Sequence, residues 1–311
     1  MCAFSTICRT FIGPLLIAVC CQVSVAQDGG LLQAATGPGN ASAYGDAQLL
    51  FEKEQYSRAL VRCDQALEDA FSVRIFNRIQ ALAIRCCLRL NHLEEALSRV
   101  ELIYRKDDAS PYLGLLPLVW DDRLPEQERY VARSKDLESQ SPPRQLAAAS
   151  SLLQDVQYRK ECVEVLTSVR ASHRLPLNVL AETQLWRIDA VQTDSFHLRS
   201  VDRWKRRAAA LPESLRAGPQ FIVGRALQLR HKPNQAALEL LWAPMMQQDD
   251  LFLAAAGLAE AVVCLESTGR RKSARRLRLE LQQRFSQTSA ARNLANQTPV
   301  SVPTSSEQTE N

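Results

Sequence analysis

The chain has 311 residues and a formal charge of +4 from 38 basic and 34 acidic side chains, a balance that points to no particular class of partner. Hydrophobic residues make up 46% and glycine only 11 positions, so the chain can bury a sizeable core in one elongated domain or two compact ones. Ala, Leu, Arg, Gln and Glu dominate, all of them helix formers, and the period-two runs of β-branched and aromatic residues that a sheet needs are missing; the expected fold class is all-α.

Residues 1–26 have the pattern of an export signal. Arg9 supplies a positive start, Phe11 to Cys21 an apolar stretch, and Val23-Ser24-Val25-Ala26 ends on the small residue that precedes cleavage, before Gln27. The apolar stretch is too short to cross a bilayer, which takes about 20 residues as a helix. Ile17-Ala18-Val19-Cys20 offers a second reading, a lipoprotein anchored through Cys20, although Val19 stands where Gly, Ala or Ser normally precedes that cysteine. Either way the mature chain is expected in the periplasm or at the cell exterior, without a membrane span. That location argues against nucleic acid as a partner. Cys63, Cys86, Cys87, Cys162 and Cys264 remain after cleavage, with no C-x-x-C spacing among them. Each falls within an expected helix, mostly on its apolar side, and reads as buried filler.

Residues 27–42, with Thr36-Gly37-Pro38-Gly39-Asn40, read as a flexible lead-in. Helical periodicity begins at 43. Ala47, Leu50 and Phe51 form one stripe, and Tyr56, Ala59, Leu60, Cys63 and Leu67 form another at helical spacing, together an antiparallel hairpin. A second hairpin follows from Ile79, Leu82, Ala83 and Cys86, then Leu93, Ala96, Leu97, Val100 and Ile103, with Asn91 suited to a left-handed turn between them. Residues 125–212 read as further hairpins, opened by Pro142-Pro143 and Pro176. Phe221 to Leu229 pairs with Gln235 to Leu241, and a helix carrying Leu253, Gly257, Leu258, Ala261 and Leu265 pairs with Ala274, Leu277, Leu281 and Phe285. Residues 295–311 hold almost nothing to bury and are expected to be disordered.

These hairpins resemble tetratricopeptide repeats, which place small residues where two helices cross closely. Ala47, Ala59 and Ala66 match the family's spacing, with Tyr56 in its aromatic position. Ala96, Ala237 and Ala274 continue the series, with Gly269 in the turn before Ala274. Ile84 departs from the pattern, standing where a small residue is expected. The resemblance covers residues 43–108 and 213–294 and implies a stacked array of hairpins whose concave face binds a protein or peptide.

Two features stand outside the hairpin rhythm. The segment 109–124, with Tyr112, Leu115, Val119 and Trp120 among its prolines and glycine, is either an apolar loop that meets a partner or a connector pinned to the core. Arg271 and Arg275, in a basic helix, are either partner contacts or the solvated side of that helix. His92, His173, His197 and His231 are expected at surfaces or turns, and Asp107-Asp108, Asp121-Asp122 and Asp249-Asp250 beside helix starts. No nucleophile elbow, phosphate loop or metal-ligand pair is present, so no catalytic, metal or cofactor site is expected. The resulting expectation is an exported, non-catalytic scaffold; a structural or oligomeric envelope component, or an accessory subunit of an envelope enzyme, are the alternatives.

Overall fold

The structure, a computed structural model, describes residues 38–68, 70, 72–191, 198–246 and 250–296. Residues 1–26, read as an export signal, residues 27–37 of the stretch read as lead-in, Phe196, His197, Asp249 and residues 297–311 lie outside the described residues. Among the described residues the regular structure is entirely helical. The helices are α1 (Pro38–Glu52), α2 (Tyr56–Glu68), α3 (Val73–Arg89), α4 (Leu93–Lys106), α5 (Pro142–Leu152), α6 (Arg159–Ser172) and α7 (Leu177–Val191). The series continues with α8 (Leu198–Ala209), α9 (Ala217–Leu229), α10 (Pro233–Leu240), α11 (Trp242–Met246), α12 (Leu251–Ser267), α13 (Arg271–Arg284) and α14 (Ser289–Asn296). Most helices that follow one another in the chain pack together, and neighbouring pairs pack on each other. Helix α1 starts at Pro38, inside the stretch read as lead-in, and α14 reaches Asn296, inside the stretch read as tail.

Four hairpins close with one and the same turn. Glu54, Asn91, His231 and Gly269 have φ between 57° and 73°. In each case the amide of the next residue reaches back to a carbonyl in the last helical turn: Gln55 to Leu50, His92 to Cys87, Lys232 to Leu227 and Arg270 to Leu265, at 2.8–3.0 Å. This is the Schellman closure, which satisfies carbonyls that a helix end would otherwise leave unpaired. Asn and Gly adopt the left-handed conformation readily; Glu54 and His231 do so against their intrinsic preference, held by the packing of the two helices.

That turn sets a common register. Five residues beyond it stand Ala59, Ala96, Ala236 and Ala274, all at most 1% exposed. Twelve beyond it stand Ala66, Ile103, Ala243 and Leu281, equally buried. The counterpart of Ala59 in the α9–α10 hairpin is therefore Ala236, not Ala237, although Ala237 is itself buried at 2%. Seven residues before the turn, Gly224 brings α9 so close to α10 that a Cβ there would lie 2.6 Å from Leu240 Cγ. Ile84 holds the same place in α3 and is fully buried, so the α3–α4 pair tolerates bulk where the α9–α10 pair does not.

The core has two parts. Tyr44, Ala47, Cys63, Ala66, Ile79 and Ala83 bind the first hairpin to one side of α3. A second, larger cluster extends from Ala81 and Ile84 of α3 to Leu294 of α14. Ala59→Leu or Ala274→Leu should each lower stability by roughly 1–3 kcal/mol through overpacking at a close crossing, while the exposed Ala171→Leu should stay within about 0.5 kcal/mol. Denaturant titration measures all three, and unchanged midpoints in both buried variants would mean the register is misplaced.

Candidate functional site

The most unusual part of the molecule is the irregular segment between α4 and α5. It is longer than the sequence suggests, because residues 125–141 are not hairpin but a chain of short turns, including the 3-10 turns Glu126–Glu128 and Ser134–Glu138. Asp107 does not begin a helix. It ends α4, and its carboxylate accepts from Asn77 Nδ2 of α3 and from the Ala109 amide, each at 3.2 Å. A 3-10 turn, Pro111–Leu115, follows, and the chain then runs without regular structure through Leu116 to Trp120.

This segment runs through the interior of the array. Leu113, Leu115, Leu116, Leu118, Val119 and Trp120 are all buried. The Trp120 ring lies flush against Gly218 at the start of α9, where a Cβ would come within 2.2 Å of it. Only a crevice of about 30 Å³ remains among Leu88 of α3, Trp120, Leu180 of α7, Gly218 and Leu253 of α12. The segment is thus packed between α3, α7, α9 and α12. Side-chain hydroxyls hold that backbone: Ser150 Oγ accepts from the Val119 amide at 2.8 Å and donates to its carbonyl at 3.2 Å. Ser151 Oγ accepts from Ala132 N at 3.2 Å and donates to Tyr130 O at 2.8 Å.

Charge completes the attachment. Asp122 forms an ion pair with Arg187 of α7, whose side chain is 2% exposed. Burial lowers the Arg187 pKa, and Asp122 pulls it back up. Arg123 bonds both Asp121 and Glu260 of α12 at 2.6 Å. Glu128 caps the last helix, accepting from Ser289 N at 2.5 Å and Ser289 Oγ at 2.6 Å, with Arg292 at 3.4 Å. The acid pair Asp121-Asp122 therefore serves ion pairs, not helix capping. Asp250 alone of the described acids in those pairs caps a helix, accepting from Leu253 N at 2.9 Å.

The structure separates the candidate partner contacts. Trp120 is 9% exposed against Gly218 and has no face to offer; its reading as a partner contact is corrected to a core anchor. Tyr112 is half-buried against the main core. Arg271 and Arg275 are exposed on α13, whose other side buries Ala274 and Leu281. His92 and His231 are exposed at turns, and His173 is half-buried at the end of α6. All five cysteines among the described residues are buried free thiols, and those residues contain no group of three or more potential metal ligands.

One surface was not singled out by sequence. Helix α10 continues through Leu241 into α11, with Met245 N bonding Leu241 O at 3.2 Å. Its inner side presses on α12, where a Gly257 Cβ would lie 2.5 Å from Leu240 O. On its outer side Leu238 is 70%, Met245 68% and Met246 55% exposed. Partly buried Leu241 and Trp242 pack behind them. The spacing Leu238, Leu241, Trp242, Met245 was the available signal, obscured because Pro244 reads as a helix breaker.

No family model matches the chain, and no curated protein or solved structure matches it either.

Trp120→Ala should cost roughly 3–5 kcal/mol as a buried aromatic truncation, whereas Arg275→Ala should change melting little. A small loss for Trp120→Ala would restore it as a surface contact. Asp121 gives a pH signature as well. Burial alone would raise its pKa, but Arg123 holds it below the usual range. The folded state therefore gains from its charge above the unfolded pKa, near ~4, and loses that gain as pH falls through the lower folded value. Melting should drop on acidification, and Asp121→Asn should flatten that drop; an unaltered acid limb would remove Asp121 from the account.

Proposed function

We propose that this chain is an exported, non-catalytic protein-binding scaffold built of tetratricopeptide-like hairpins, and that it docks its partner on the outer ridge of α10–α11. The observation that carries this reading is the exposure of Leu238, Met245 and Met246 on one side of a helix that is otherwise tightly packed. Contiguous apolar side chains in water are costly unless a partner covers them, and methionine adapts to a partner's contour. Residues 116–120 pack between α3, α7, α9 and α12 and leave only about 30 Å³ open there. Residues 1–26 support export, and among the described residues no helix is long and apolar enough to cross a membrane.

Capture of partners from a native envelope extract tests the scaffold. A stoichiometric protein should be retained by the wild type and by Arg271→Glu, and lost with Leu238→Glu/Met245→Glu. Retention by the ridge variant refutes the assignment, and recovery of the chain itself as the only partner replaces the scaffold with a self-assembling structural component. N-terminal sequencing of the native protein should begin at Gln27; a lipidated Cys20 or an intact Met1 would contradict soluble export.

A further inference from the structure

A cleft of about 660 Å³ opens between the end of α6, α7 and α8. Its floor is a pair of tryptophans, Trp186 of α7 and Trp204 of α8, whose rings stack with centroids 5.1 Å apart and planes at 9°. Both rings are buried, so they brace the two helices and leave the walls to charged side chains. Arg203, Arg206 and Arg207 stand at i, i+3 and i+4 on α8, a spacing that puts them on one side of a helix, and Arg170 joins them from the last turn of α6. Two carboxylates of α7 share the cleft, Glu182 and Asp189. Glu182 is ion-paired with Arg207. Partial burial raises the Asp189 pKa, and the charge of Arg203 lowers it. Arg170 and Arg206 have no hydrogen-bond or ion-pair partner among the described residues. Four guanidinium groups against two carboxylates leave the cleft positive, and the surplus resides on these two side chains.

We propose that this cleft binds a small anion carrying two or more carboxylate or phosphate groups, held by Arg170 and Arg206 with Arg203 beside them. A guanidinium presents a planar fork of donors that matches two oxygens of a carboxylate or phosphate. Two such forks on separate helices suit a ligand with two anionic groups. Arg207 already neutralises Glu182, and Arg203 offsets Asp189, so neither carboxylate cancels the surplus. The volume falls within the range of about 300–1,000 Å³ in which small molecules are held. Because the stacked rings brace α7 and α8 in advance, less ordering is left for binding to offset. The unpaired guanidinium groups line one bounded cleft, which suits a compact anion better than a polymer. None of these residues belongs to the outer ridge of α10–α11, so the inference does not rest on the scaffold reading.

Isothermal titration of the full chain with pyrophosphate and with citrate tests this, at about 0.1 M salt so that exposed charges more than ~10 Å apart are largely screened. At least one probe should bind saturably at a single site, and the tighter of the two tells phosphate from carboxylate. Arg170→Gln/Arg206→Gln should weaken that binding roughly tenfold or more, since each guanidinium supplies a charge-assisted contact. Arg271→Gln/Arg275→Gln removes the same two charges from α13 and should leave the affinity unchanged. All four side chains are exposed, so both double variants should melt as the wild type does. No saturable binding of either probe, equal weakening by the two double variants, or binding of long polyphosphate alone would each overturn the proposal. Should Arg170→Gln/Arg206→Gln fail to fold, Arg203→Gln carries the test with the same expected weakening.

Discussion

The array depends on a buried guanidinium. Arg187 carries its charge almost wholly out of water, and an unpaired charge there would cost several kcal/mol. Its position is tolerable because Asp122 faces it and the Ser150 carbonyl accepts from it at 3.0 Å, beside Gln184 Oε1 of its own helix. Those two partners lie on different elements, the irregular segment and α5, while Arg187 is on α7. One side chain therefore fixes three pieces of chain at a single point, and Val119 and Trp120 are carried into the interior beside it. Ser150, bonded to the Val119 backbone, belongs to the same network. Removing Asp122 would strand the buried Arg187 charge, so the segment is held by a requirement for electrical satisfaction as well as by apolar burial.

Helix placement was legible wherever an apolar stripe met a turn signal. Pro142, Pro176 and Pro233 opened helices or preceded them closely, and Asn91 and Gly269 closed them, because each of these residues restricts or frees the backbone on its own. Glu54 and His231 close the same turn with no such chemistry, so those turns carried no signal of their own, and the register slipped by one residue between Ala236 and Ala237. Residues 125–141 carried no clear stripe and were read as helix by default. What holds them is partnership across long separations: Glu128 with Ser289, Gln127 with Asn91. Such pairs leave no trace in local spacing.

The same distinction explains the candidate contacts. Trp120 in a Pro-rich stretch looks the same in sequence whether it faces solvent or a glycine, and only the approach of Gly218 decides it. Leu238 and Met245 look like core positions by type, yet α10–α11 turns a different side toward α12. Residue type told which side chains could be buried; the packing partner of each helix told which were.

The attachment of Glu128 to Ser289 also bears on the order in which the molecule is made. A simple hairpin stack can grow from one end, each unit settling on the one before it. Here the interior segment finds its final contacts only after α12 and α14 exist, with Glu128 and Ser289 separated by 161 positions in the chain. As the chain emerges from synthesis, the early hairpins must therefore wait with Leu116, Leu118 and Trp120 uncovered until the last helices arrive. Contacts of such long separation slow folding and prolong the exposure of apolar surface. The feature that makes the finished interior solid makes its unfinished state the one most in need of a chaperone.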